Sequence, residues 1–376
     1  MTGPASLAAE SQAAVRTEAT SVGLASERIL VVRLSAMGDI LHGMPAIAAL
    51  RAANLNIKIG WLVEERWAEL LCSRQEERLS ACSGRKPLVD WVHTANFSVW
   101  RSALFSGTSW RQMRRCLDEV RAMHYDVTLD LQGAIRSAIA ARVSGADSWI
   151  GSAQPREAPA RLLYSLSTLP EGRHVVEHAI SLASSLAGKR LPYVDAPLPH
   201  DFAIENWAEQ LHAKLHRKPL AILNPGAGWG AKCWPAESYG RVAKALSDRG
   251  MEVLVNHGPG EENLARAVSV ASGNQSVPLK CSVGELIALT RRASLFVGGD
   301  TGPMHLAAAL HVPVIALFGP TLPERNGPYG TRSIVLRSPQ SVFNSSHTNR
   351  PDEGLLSIKP TTVIEAADRL LGGVGG

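Results

Sequence analysis

Short, nearly continuous apolar runs alternate along this chain with longer segments in which apolar residues recur every three or four positions. Ile29 to Leu34 (ILVVRL), Ile57 to Val63, Val89 to His93 and Val127 to Leu131 are runs of the first kind. Runs of that length and character are expected of strands buried on both faces of a parallel sheet. Glu65 to Cys72, Trp110 to Met123, Ala134 to Val143 and about His174 to Leu186 carry the longer period and read as helices. The alternation predicts an α/β fold with a doubly wound sheet. It is interrupted at Leu191 to His200, where three prolines fall within ten residues, which marks a linker.

Beyond the linker the alternation resumes. Leu220 to Leu223 predicts a strand that ends in the glycine-rich turn NPGAGWGAKCWP, and Pro235 opens a helix to about Arg249. Glu252 to Asn256 predicts the next strand, followed by HGPGEEN and another helix, and Ser282 and Glu285 have capping-box spacing. Ser294 to Pro320 holds the sharpest unit. An apolar strand through Leu295, Phe296 and Val297 breaks at Gly298 and Gly299, presents Asp300 and Thr301, and enters an Ala-rich helix that stops at His311 before the strand Val312 to Phe318. A polar tail leads to a last amphipathic helix, about Thr361 to Leu371, a candidate to pack back on the first half. The division is a leader over 1–26, one Rossmann-like domain over 27–200 and a second over 201–376, facing each other across one cleft.

Turns at the carboxyl ends of parallel strands are where ligands bind in such sheets. In the second half three of these turns carry Lys232, Glu262 and Asp300-Thr301-Gly302. A glycine-rich turn lets backbone approach phosphate, a helix N-terminus offers free N–H groups to an anion, and a lysine neutralises charge on a departing diphosphate. Glu262 suits a ribose diol, and Asp300, which would repel phosphate, suits sugar hydroxyls. In the first half Asp39 follows the first strand at a helix start, the placement of a general base and equally of a helix cap. His42 is a weaker second candidate base. The turn lacks the GxGxxG spacing of a dinucleotide site. Arg101, Arg111, Arg114 and Arg115 lie among Trp100, Phe105 and Trp110, and Arg111, Arg114 and Arg115 share a helix face. That stretch reads either as a solvated surface or as a site for an anionic acceptor or anionic lipid.

Composition adds limits. The chain has 376 residues, 45% of them hydrophobic, enough for two cores, and a net charge of +5, which demands no nucleic-acid partner. Its five cysteines form no CxxC pair, as expected of a reducing compartment. No apolar run approaches the roughly 20 residues of a membrane helix. The leader, rich in Ala, Ser, Thr and Glu, reads as disordered.

Four segments together resemble the ADP-heptose:lipopolysaccharide heptosyltransferases of glycosyltransferase family 9. They are Arg33 to His42 (RLSAMGDILH), Tyr125 to Ser137 (YDVTLDLQGAIRS), Lys232 to Pro235 (KCWP) and Gly299 to Ala309 (GDTGPMHLAAA), in colinear order over about residues 28–335. WLVEE from Trp61 and FSVWRSALFS from Phe97 are most similar to heptosyltransferase I. The resemblance implies a GT-B fold and inverting transfer of heptose from ADP-heptose to a Kdo sugar on lipid A, without metal or other cofactor. It implies a monomer working on the cytoplasmic face of the inner membrane. It implies Asp39 as base, with Lys232 on phosphate, and Gly228, Glu262, Cys281, Asp300, Thr301, Gly302 and His305 on the donor. On the acceptor side it implies Ser35, Met37, Gly38, His42, Gln132 and Arg136 beside the arginines above. Two features depart from heptosyltransferase I. The turn Gly226 to Gly230 has no hydroxyl residues and is closer to the heptosyltransferase II style, and Cys281 stands where a methionine near adenine is often found. A transferase for another surface glycan, a sugar-nucleotide epimerase and a non-enzymatic binding protein are the alternatives.

Overall fold

The computed structural model describes residues 28–74, 76–102, 106–343, 350 and 352–372. The leader over 1–26, Phe105 and the side chain of Arg101 lie outside the described residues. The first sheet holds β1 (Arg28–Val32), β2 (Lys58–Glu64), β3 (Trp91–Ala95), β4 (Val127–Asp130), β5 (Ser148–Ser152) and β6 (Leu166–Thr168). The second holds β7 (Leu220–Asn224), β8 (Glu252–His257), β9 (Val277–Lys280), β10 (Ala293–Gly299), β11 (Val314–Phe318) and β12 (Ser333–Arg337). Their spatial orders are β3-β2-β1-β4-β5-β6 and β12-β11-β10-β7-β8-β9, and the ladders within both are parallel. Each is the doubly wound order, in which the chain reverses direction across the sheet next to its first strand. The reversal opens a crevice beyond β1 and β4 in one sheet and beyond β7 and β10 in the other.

Burial explains which strands the hydrophobic pattern revealed. β1, β4, β7 and β11 are buried almost throughout and read as apolar runs. The sequence reading passes over β5, β6, β9 and β12; β6, β9 and β12 lie at sheet edges and are half-exposed or exposed along their length. Glu65 to Cys72, expected as a helix, forms a 3-10 helix over Glu65–Leu70. The last helix, Pro360–Gly372, does not return to the first half. Its Val363, Ala366, Ala367 and Leu370 pack into the second half's core with Ala221, Val242 and Ile315.

The two halves share apolar contact. Leu286, Ile287 and Leu306 of the second half are buried in the same cluster as Ile40, Met44 and Ile47 of the first. Each such side chain contributes about 1.5–3 kcal/mol relative to exposure. The linker Leu191 to His200 has no regular structure, and Arg291 holds it by donating to the carbonyls of Leu198 and Pro199, each at 3.0 Å. These contacts set the facing crevices close together.

Candidate active site

On the first half's side the site starts where β1 gives way to the helix Met37–Ala53. Ala36, at the N-cap, has no side chain able to cap. Asp39, in the third helical position, accepts a hydrogen bond from the Ala36 N–H at 3.2 Å. Its other carboxylate oxygen is 2.9 Å from Nη2 of Arg33, and Asp39 keeps 36% of its side chain exposed. Asp39 is thus both the helix cap and a carboxylate open to solvent. It faces a cavity of about 480 Å³ lined also by Asp130, Gln132, Gly133 and Arg156.

The β4 turn forms the opposite wall. Asp130 is buried and accepts from the N–H groups of Gln132 and Gly133 and from the hydroxyls of Ser137 and Tyr164. Burial raises its carboxyl above the ordinary range despite those four donors. Gln132 accepts from the Leu34 N–H at 2.8 Å, which ties the β4 turn to the end of β1. Gly133 takes a φ of +67°, and a Cβ there would sit 3.0 Å from the Arg156 nitrogen, so the turn needs glycine. Arg136 donates to the Ser35 hydroxyl at 2.8 Å. Arg111, Arg114 and Arg115 lie elsewhere, on the exposed side of the helix Gly107–Ala122, and they do not line this cavity. Arg111 donates to Gly107 of its own helix, and Arg114 is 3.7 Å from Asp118.

On the second half's side, Lys232 ends the turn after β7 and Asp300 directly follows β10, so they flank the second crevice. The Lys232 ammonium lies 2.7 Å from one Asp300 carboxylate oxygen and donates to the Asp300 carbonyl at 3.2 Å. Nε2 of His305 lies 3.2 Å from the other carboxylate oxygen. Burial alone would raise the Asp300 carboxyl, but His305 and Lys232 outweigh it and hold it well below the usual carboxylate range. Asp300 is therefore an anchor for these two side chains. Two of the three ammonium donors of Lys232 are engaged on Asp300, which leaves the third for a ligand. Thr301 is the N-cap of the helix Gly302–Ala309, but its side chain accepts no cap bond; its hydroxyl instead donates back to the Gly299 carbonyl at 3.3 Å.

The remaining donor candidates separate. Glu262 is half-buried and 3.3 Å from Lys280, whereas its neighbour Glu261 accepts from the Gly258 N–H at 2.8 Å and packs where a Gly226 Cβ would go. Glu261 thus lies against Gly226 of the glycine-rich turn. Gly228 lies in that turn with open space beside it. Cys281 is half-buried against both cores, and burial pushes its thiol up to about 12.

The two crevices meet at the starts of two helices. Nε2 of His42 lies 3.0 Å from Nδ1 of His305, and the His42 ring packs edge-on against His174. A Cβ on Gly38 would lie 2.4 Å from His305, and one on Gly302 would lie 2.7 Å from Met37, so glycine at both places permits the approach. Lys232, Asp300, His305 and His42 thus form one polar chain across the halves. Burial, and then the charges of His305 and His174, hold His42 well below the usual histidine range. In this structure His42 is a buried contact between the halves. Neither the His42–His305 nor the His42–His174 contact has a signature in the sequence, because each joins residues more than 100 positions apart.

Two doubly wound sheets that bring their switch points together over one cleft form the GT-B architecture of nucleotide-sugar glycosyltransferases. Residues 113–353 match the model of glycosyltransferase family 9 (heptosyltransferase). Lipopolysaccharide heptosyltransferase 1 of Pseudomonas aeruginosa is 30% identical over 83% of this chain and 84% of its own length. The protein of the same name from Escherichia coli K12 is 27% identical over 91% of this chain and 100% of its own. The structure of E. coli heptosyltransferase WaaC with ADP superposes with a TM-score of 0.73 at 26% identity, covering 91% of this chain and 99% of that one. The chain belongs to glycosyltransferase family 9, the heptosyltransferases.

Proposed function

We propose that this chain transfers heptose from ADP-heptose to a Kdo residue of the lipopolysaccharide inner core, Kdo-lipid A, with inversion at the anomeric carbon and without a metal ion. The observation that carries the reading is the presence of an open carboxylate, Asp39, and an ammonium, Lys232, at two switch points joined through His42 and His305. An E. coli WaaC structure with ADP-2-deoxy-2-fluoro heptose, 26% identical, supports the donor. The heptosyltransferase 1 relatives support the acceptor.

In this mechanism Asp39 takes the proton of the acceptor hydroxyl as its oxygen attacks the anomeric carbon. The bond from that carbon to the diphosphate breaks on the opposite face, and ADP leaves with the electron pair. Lys232 and the free N–H at Gly302 stabilise the charge that ADP gains. Cys281 and Glu262, with the neighbouring Glu261, lie toward the adenosine end. A second reading keeps donor and chemistry but changes the acceptor, and the turn Gly226 to Gly230, which has no hydroxyl residue, favours it.

The test is ADP release from ADP-heptose with and without Kdo-lipid A, and with EDTA. Release that requires Kdo-lipid A and survives EDTA is the expected result. Release without acceptor would indicate hydrolysis, and release only with a different core acceptor would favour the second reading.

We further propose that the enzyme works as a monomer at the anionic cytoplasmic surface of the inner membrane. No helix of the described residues is long and apolar enough to cross a membrane. Arg111, Arg114 and Arg115 are exposed beside Trp110, itself 60% exposed, which suits anionic headgroups. Binding to anionic liposomes should weaken with added salt, and an absence of binding at low salt would remove this part of the proposal.

A further inference from the structure

The cavity beside Asp39 is walled by the first half except along one edge. There Arg325 and Asn326 of the short helix Pro323–Asn326 reach over it from the second half. The loop is pinned in that position. His174 of the first half donates from Nε2 to the Gly327 carbonyl at 3.0 Å, and its Nδ1 accepts from the Val176 N–H. The Tyr329 ring then packs on His174 with centroids 4.7 Å apart.

Charge in this cavity is unbalanced. Arg33 is matched by Asp39, and Asp130 is buried among four hydrogen-bond donors. Arg156 and Arg325 are both exposed to the cavity, and neither makes an ion pair among the described residues. A cavity holding a base and two unmatched guanidinium groups fits a ligand that carries a negative charge close to its reacting hydroxyl.

The geometry points to Arg325 as an acceptor-binding residue supplied from the donor-side half, which receives, together with Arg156, the carboxylate of the acceptor sugar. The carboxylate is favoured over a lipid phosphate because the group must share one cavity with the hydroxyl that Asp39 deprotonates. A charge on the attacking sugar itself meets that condition, whereas a phosphate lies at least one sugar away. Contact with both Arg156 and Arg325 requires the two halves to be together, so Arg325 ties recognition of an acidic acceptor to the assembled cleft. This inference rests on the acceptor reading given above.

The test crosses a protein change with a ligand change. Wild type and Arg325→Gln are compared with Kdo-lipid A, with its Kdo methyl ester, and with an acceptor whose lipid phosphates have been removed. Arg325→Gln should raise the KM for Kdo-lipid A roughly 10- to 100-fold, the span of a charge-assisted hydrogen bond. The KM for ADP-heptose and the melting temperature should not move. Esterification should cost wild type a similar factor and cost Arg325→Gln little more. Equal losses on ester and acid, or an unchanged KM, would overturn the inference, and coupling to phosphate removal instead would overturn the carboxylate assignment. Equilibrium binding of the methyl glycoside of Kdo and its methyl ester, with ADP present, separates this from the acceptor reading. Tighter binding of the acid that is lost in Arg325→Gln sustains the inference even if no transfer to Kdo-lipid A occurs, and equal binding of acid and ester overturns it.

Discussion

Asp39→Ala should lower the rate of heptosyl transfer roughly 10²- to 10⁴-fold, the usual contribution of a positioned general base. ADP binding should stay intact, since Asp39 belongs to the first half and Lys232, proposed to meet the diphosphate, to the second. The side chain also caps its helix through the Ala36 N–H and pairs with Arg33, so the alanine variant loses some stability as well. Asp39→Asn separates the two roles. The amide oxygen can still accept from Ala36, which preserves most of the cap, but an amide cannot take the acceptor proton at neutral pH. Single-turnover rates and melting temperatures of both variants check this. The asparagine variant should melt nearer to wild type and transfer as poorly as the alanine variant. Wild-type turnover in either would remove Asp39 from the base role.

Asp300→Ala should produce the largest loss of stability at the site, about 3 kcal/mol. Breaking one side of a buried ion pair costs about 3–5 kcal/mol, and the 15% exposure of Lys232 moves the expectation to the lower end. The loss arises because Lys232 and His305 keep their burial but lose the carboxylate that satisfied both. Removing the ammonium too, in Asp300→Ala with Lys232→Met, should recover part of it.

The pH dependence has a definite sign. Lys232 and His305 hold the folded Asp300 carboxyl below its unfolded value. Its stabilisation is therefore fully present above the unfolded carboxylate pKa of about 3.9 and is lost as pH falls through the lower folded value. Urea titrations should show the gap between wild type and Asp300→Ala widest near neutral pH and narrowing below about pH 4. A constant gap through the acid range would mean that the carboxylate charge is not what stabilises this site.

How far the site is legible in the sequence depends on where each partner comes from. Asp39, Lys232 and Thr301 follow strands and precede helices, so local pattern alone puts them at sheet edges. The pairing of Lys232 with Asp300 spans 68 positions, and that of His42 with His305 spans 263. Local periodicity holds no information at those separations. Arg111, Arg114 and Arg115 show the converse. Their shared helix face is readable from spacing, but the helix lies away from the cavity, whereas Arg156, in a bend, and Arg325, in a helix of four residues, line it from segments too short for a periodic signal.

By itself the sequence determined the alternation of buried strands and helices, the division at the proline-rich linker, and the glycine and carboxylate chemistry of the turns. These are local consequences of strand burial, turn geometry and helix starts. Only the tertiary structure decided that the edge strands β6, β9 and β12 complete the sheets, since a half-exposed strand needs no continuous apolar run. It alone decided that Asp300 serves Lys232 and His305, that His42 joins the halves, and that Arg325 crosses to the Asp39 cavity. The reason is that burial, charge balance and hydrogen-bond partners at a cleft are set by elements distant in the chain and adjacent in space.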